Sequence, residues 1–212
     1  TVGALVALLI ALLSSQVAKD DPEMKLRICE VGAISALTDF LRSDEEDRVQ
    51  AAVIALNYLT EECAANAKAA HDAGAMPLLI AHLDSPVIGL RGATASTLRH
   101  ICMESEEYCE QFMQFGGMQG LVNQLDFSLD VPIDNTDLML EAVWNLEDVT
   151  TDQNGNLIDR YAKLAHANGA IEKLSKLKDI DDEEVSSAAQ KVLLALENHI
   201  GAGVGRITKS LT

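Results

Sequence analysis

Aromatic residues make up only 4% of this 212-residue chain, so rings do little of the packing that a 48% apolar content demands. Ala, Leu and Val carry it instead, which suits close contacts between helices. There are four prolines. Pro22, Pro77 and Pro86 fall at expected helix starts or loops, so long helices are left uninterrupted. The four cysteines, Cys29, Cys63, Cys102 and Cys109, form no C-x-x-C pair. That spacing argues against a structural zinc site, and the thiols read as small buried apolar side chains of a reduced, cytosolic protein. The apolar run Val2–Leu13 falls short of the roughly 20 residues that span a bilayer. It lacks the basic flank of a signal peptide, so a buried helix is predicted there. A first residue of Thr predicts a natural N-terminus further upstream, where any lipidation signal would lie.

Cations are scarce as well. The formal net charge is −17 and the sequence pI about 4.5. Such a surface repels nucleic-acid phosphates, whose binding depends on Lys and Arg, and gains nothing from an anionic membrane leaflet. Between Arg99 and Arg160 there is no Lys or Arg, against 13 Asp and Glu. A stretch that long without a cation favours a basic or polar partner docking there.

What the chain does have is a repeat. Gly32-Ala33, Gly74-Ala75 and Gly116-Gly117 recur at a spacing of 42, and Gly169-Ala170 follows 53 residues later. Each Gly can close a helix C-terminus with a positive φ. A short helix is predicted before it, a second helix from the next residue, then a polar loop and a longer third helix. In the first full unit the third helix carries Val49, Ala52, Val53, Leu56 and Leu59 on one face. In the second unit, Leu78, Leu79 and Leu83 mark the second helix. A constant helical period in the low forties means a stacked solenoid, since no repeat buries its apolar face alone. The reading is all-α: about four three-helix repeats plus a partial N-terminal unit, one solenoid over 1–200 and a flexible tail over 201–212. The extra residues of the third unit sit in DFSLDVPIDN and TTDQNGNLID, candidate surface insertions.

Catalytic signals are missing. His71, His82, His100, His166 and His199 are scattered without metal pairing, and GGMQG lacks the Gly-Lys-Ser/Thr ending of a phosphate loop. No nucleophile, base and oxyanion-donor set is visible. The expectation is a non-enzyme with no cofactor and no metal. TTDQNGNLID partly resembles a calcium loop through Asp152, Asn154, Gly155 and Leu157. It has Thr150 at the first position and Tyr161 where the closing Glu belongs, so the charge and bidentate ligation of calcium loops are lacking.

Glu30–Leu37, of the form E-x-G-A-I-x-x-L, and Val49–Leu59, of the form V-Q-A-A-x-x-A-L-x-x-L, resemble the armadillo repeat; Gly74–Leu83 and Gly169–Leu177 match too. The resemblance covers nearly the whole chain. It implies a right-handed superhelix whose third helices line a concave groove that takes an extended peptide or a helix from a protein partner. The stripe it places in the groove is Gln50, Ile54, Asn57, Tyr58 and Glu61, then Ser96, Arg99, His100 and Met103. Asp137, Glu141, Trp144, Asn145 and Asp148 follow, and Lys191, Leu194 and Asn198 close it. Asn57 and Asn145 would bond a ligand backbone, Tyr58 and Trp144 would supply rigid apolar area, and Glu141 and Asp148 would pair with Lys or Arg.

Nuclear-import adaptors of this type carry Trp and Asn four residues apart. The corresponding pairs here are Ile54/Tyr58, Ser96/His100, Glu141/Asn145 and Lys191/Ala195, so only Asn145 agrees. In size, acidity and repeat number the chain is similar to the apicomplexan armadillo-repeats-only family of the rhoptry surface. That resemblance implies an adaptor on the cytosolic face of the organelle, held there by N-terminal acyl chains and recruiting a myosin motor and an adenylate cyclase for apical positioning. The rhythm of residues 89–122 also resembles the armadillo nucleotide-exchange factor of heat-shock protein 70, the alternative reading.

Overall fold

A computed structural model describes residues 21–127 and 136–209, with side chains at Ile88 and beyond Gly201 left aside. The apolar run Val2–Leu13, most of DFSLDVPIDN and the last three residues lie outside the described residues. The chain divides into two compact units, Thr1–Gly116 and Gly117–Thr212. All described regular structure is helical.

The first unit contains α1 (Pro22–Glu30), α2 (Ala33–Phe40), α3 (Glu46–Thr60), α4 (Ala64–Asp72), α5 (Ala75–Ile80), α6 (Ile88–Glu104) and α7 (Glu106–Gln114). Local chemistry starts these helices. Asp21 caps α1 by accepting from the Met24 amide at 3.0 Å, with Pro22 in the first helical position. Ser105 caps α7 by accepting from Tyr108 N at 3.2 Å. Each satisfies an amide that has no partner inside its own helix. Pro77 sits in the first turn of α5 and Pro86 in the loop after it, where the missing N–H costs nothing.

Gly32, Gly74, Gly116 and Gly169 all adopt left-handed φ, between +78° and +87°. No heavy atom lies within 4 Å of a Cβ built at any of them. The requirement is therefore dihedral rather than one of space.

Core positions follow the sequence periodicity. Val49, Ala52, Val53, Leu56 and Leu59 of α3 are all buried, as are Leu79 and Leu83. Third helix α3 packs on third helix α6, and α4 packs across α6 as well. Cys63, Cys102 and Cys109 are buried thiols; Cys29 is half-buried. Asn66 on α4 donates to Lys25 O at 3.1 Å and Leu59 O at 2.9 Å, tying three helices. The buried Lys25 ammonium donates to the Glu61 carbonyl at 2.7 Å, placing a cation on the negative end of the α3 dipole.

The second unit contains α8 (Gly117–Gln124), α9 (Thr136–Thr150), α10 (Asp159–Ala167), α11 (Ala170–Leu177) and α12 (Glu183–Lys209). Helix α9 packs against α12, which also covers α10 and α11. Helix α12 runs through Gly201, Gly203 and Gly205 to Lys209. Extending an existing helix adds a hydrogen bond for each residue fixed, and here that outweighs the roughly 1 kcal/mol that each Gly costs in a helix.

Candidate functional site

The third helices present the candidate surface, and each unit carries its own part of it. In the first unit, Gln50, Ile54, Asn57, Tyr58 and Glu61 on α3 are half-buried, as are Arg99 and His100 on α6. Met103 stands out, 60% exposed. Ser96 is buried at 6%. It lies between Ala95 and Thr97, both fully buried, on the part of α6 that turns into the core.

His100 bridges two third helices. Its Nδ1 lies 2.9 Å from Thr60 Oγ1 on the neighbouring third helix, and Arg99 Nη2 lies 3.2 Å from its Nε2. Arg is only a donor, so Nε2 must accept and Nδ1–H must donate to Thr60. The Thr60 hydroxyl then donates to Asn57 O at 3.2 Å. Burial, followed by the positive charges of Arg99 and Lys25, pulls the imidazole pKa down to about 4. A neutral His100 is thus a seam residue binding α6 to α3. The Asn57 Oδ1 atom beside this seam is buried without a hydrogen-bond partner, an acceptor left for an N–H donor.

In the second unit, Asp137, Glu141 and Trp144 on α9 are exposed and Asp148 is half-buried. Asn145 is buried at 2% and falls in the same register as the seam residue His100. On α12, Lys191, Leu194 and Asn198 are exposed. Lys191 Nζ pairs with Glu147 Oε1 of α9 at 2.7 Å, a surface ion pair between the two helices. Trp144 and Leu194 occupy equivalent positions on these helices and are 44% and 47% exposed. Two large exposed apolar side chains therefore share a register on α9 and α12, and the helical spacing puts Asp137, Glu141 and Asp148 on the same face of α9 as Trp144. Sequence reasoning missed Thr60, Lys25 and Glu147, the partners that hold the stripe. Only the interhelical packing discloses them, because each lies on a different helix from the residue it serves.

The calcium-like loop closes on itself. Asp152 Oδ1 accepts from Asn154 N at 2.8 Å and Asn156 N at 2.9 Å, and Oδ2 from Asn156 Nδ2 at 3.3 Å. Gly155 takes the left-handed position at +77°. Asp152 is the turn's internal acceptor, and these bonds hold its carboxyl below the usual range. Among the described residues no cluster of three His, Cys, Asp or Glu is arranged to hold a metal ion, and no helix is long and apolar enough to cross a membrane.

No protein-family model and no curated protein matches this chain. Solved structures do. The armadillo-repeats-only protein from Plasmodium falciparum is 29% identical, with 90% of this chain and 78% of that one covered at a TM-score of 0.82. Computationally designed armadillo-repeat proteins for modular peptide recognition superpose over 87% of this chain and 72% of theirs, at 23% identity and a TM-score of 0.71. A designed armadillo-repeat protein in complex with the peptide (KR)4 is 21% identical, over 88% of this chain and 91% of that one, with a TM-score of 0.57. The fold is the armadillo type that the sequence resembles.

Proposed function

We propose, from this armadillo fold and its likeness to the Plasmodium protein, that residues 1–200 act as one non-catalytic scaffold that docks protein partners on its third helices. The observation that carries the reading is the exposed pair Trp144 and Leu194 on adjacent third helices, bordered by Glu141 and Asp148. Large apolar side chains surrounded by charge are the usual anchors of a protein interface, and the acids select a segment carrying Lys or Arg. Designed relatives of the same fold hold peptides, one of them wholly basic, which supports a peptide or helix as the occupant.

The finer reading follows the Plasmodium relative. The scaffold tethers a motor and signalling proteins, such as a myosin and an adenylate cyclase, to the cytosolic face of the rhoptry for its apical positioning. A chain of net charge −17 gains no attraction from an anionic leaflet. Attachment then requires two N-terminal acyl chains, because one gives only marginal binding.

The test compares wild type with the double variant Glu141→Arg, Trp144→Ala in a quantitative pull-down, with circular dichroism confirming the fold. Partner recovery is expected to drop at least about tenfold, the loss of one hot spot. Equal recovery from a folded variant removes the docking reading. Imaging the tagged full protein tests the tether: a diffuse cytosolic signal contradicts it.

A further inference from the structure

Away from the third-helix stripe, α2, the loop after it and the first turn of α3 enclose an open cavity of about 530 Å³. Its chemistry is out of character for so acidic a chain. Two guanidiniums, Arg42 and Arg48, two hydroxyls, Ser35 and Ser43, the Asp39 carboxylate and the Phe40 ring line it, and the Glu45 carboxylate pairs with Arg48 at its edge. Arg48 lies 5.5 Å over the Phe40 centroid and 2.9 Å from Glu45. Ser43 Oγ accepts from the Glu45 amide at 3.1 Å, so its O–H is left to donate. Among the described residues no partner is recorded for the Arg42 side chain.

The internal repeats give a second, independent observation. Ten residues after the left-handed glycine, the other three units carry Asp84, Asp126 and Asp179, whereas the first carries Arg42. The acid has a use in the third unit, where Asp126 approaches Lys173 Nζ at 3.8 Å. Sixteen residues after the glycine, Arg48 stands where the second unit has the buried core residue Leu90. Both departures add a guanidinium to the same cavity.

We propose that this cavity is a binding site for a phosphate monoester, with Arg42 and Arg48 as its principal donors. The Arg42 fork, the Arg48 N–H groups that Glu45 leaves, and two hydroxyls offer more donors than a carboxylate's two oxygens use, and they match the three oxygens and near-dianionic charge of a phosphoryl group. The cavity is far larger than a bare ion, leaving room beside Ala36 and Gly32 for a carbon skeleton. Asp39 can accept an N–H from the same ligand. A phosphorylated Ser or Thr in a protein segment and a free phosphorylated small molecule share this chemistry. The site is independent of the third-helix docking reading.

Calorimetry on the whole chain tests it with three probes: a capped glycine pentapeptide with a central phosphoserine, the same peptide with Glu, and free O-phosphoserine. Saturable binding of a phosphorylated probe is expected, at least about tenfold tighter than the Glu peptide. Arg42→Asp installs the residue of the other repeats and so leaves folding intact; it should abolish that binding. Arg42→Lys should keep only part of it. A tighter peptide identifies a protein phosphosite as the source, and tighter O-phosphoserine a small molecule. No saturation by either phosphorylated probe up to about 10 mM, equal affinity for the Glu peptide, or undiminished binding by Arg42→Asp overturns the proposal.

Discussion

Protonating His100 would bring a proton into a seam already crowded by the Arg99 guanidinium and the Lys25 ammonium. It would also remove the lone pair that accepts from Arg99. The pH dependence follows from linkage. The unfolded chain binds this proton near pH 6.5 and the folded chain only near 4, so the unfolded state is favoured as the pH falls through that window. Stability from this residue is fully present above about pH 6.5 and lost on the way down to about pH 4, by at most about 3 kcal/mol. Replacing His100 with Gln should flatten the denaturant-derived stability profile between those limits. A profile as steep as that of wild type shows that other groups carry the acid sensitivity.

Among the elements, the four left-handed repeat glycines and the helical Gly201 predict opposite outcomes for one substitution. Gly74→Ala forces a Cβ into a φ of +78° and should cost about 1–2 kcal/mol, although nothing crowds the position. Gly201→Ala sits in the continuous α12 and should stabilise by up to about 1 kcal/mol. Thermal melts of the two variants check both signs; a neutral Gly201→Ala would mean that the helix end is already frayed. The repeat, its helix boundaries and the core faces were legible because period 3.6 and period 42 both stand in the residue order. Which stripe residues stay open was not. A stripe drawn on one helix does not say what its neighbours cover: Ser96 and Asn145 are buried, and His100 meets Thr60 of the next third helix.

For the molecule as a whole, charge governs encounter. A partner segment rich in Lys and Arg that docks on a chain of net charge −17 should bind several-fold more weakly as ionic strength rises from about 0.05 to 0.5 M, mainly through slower association. Salt-independent affinity would assign the interface to apolar contact alone. The acidic third-helix face also holds the one Trp of the chain, so Trp144 reports its own burial. The decisive measurement is a titration of wild type with the partner segment recovered in the pull-down, following Trp emission and acrylamide quenching. At 44% exposure in the free chain, Trp144 should shift to shorter wavelength and lose most of its quenching as the segment binds. Saturable binding by calorimetry with unchanged emission and quenching would contradict docking at this face.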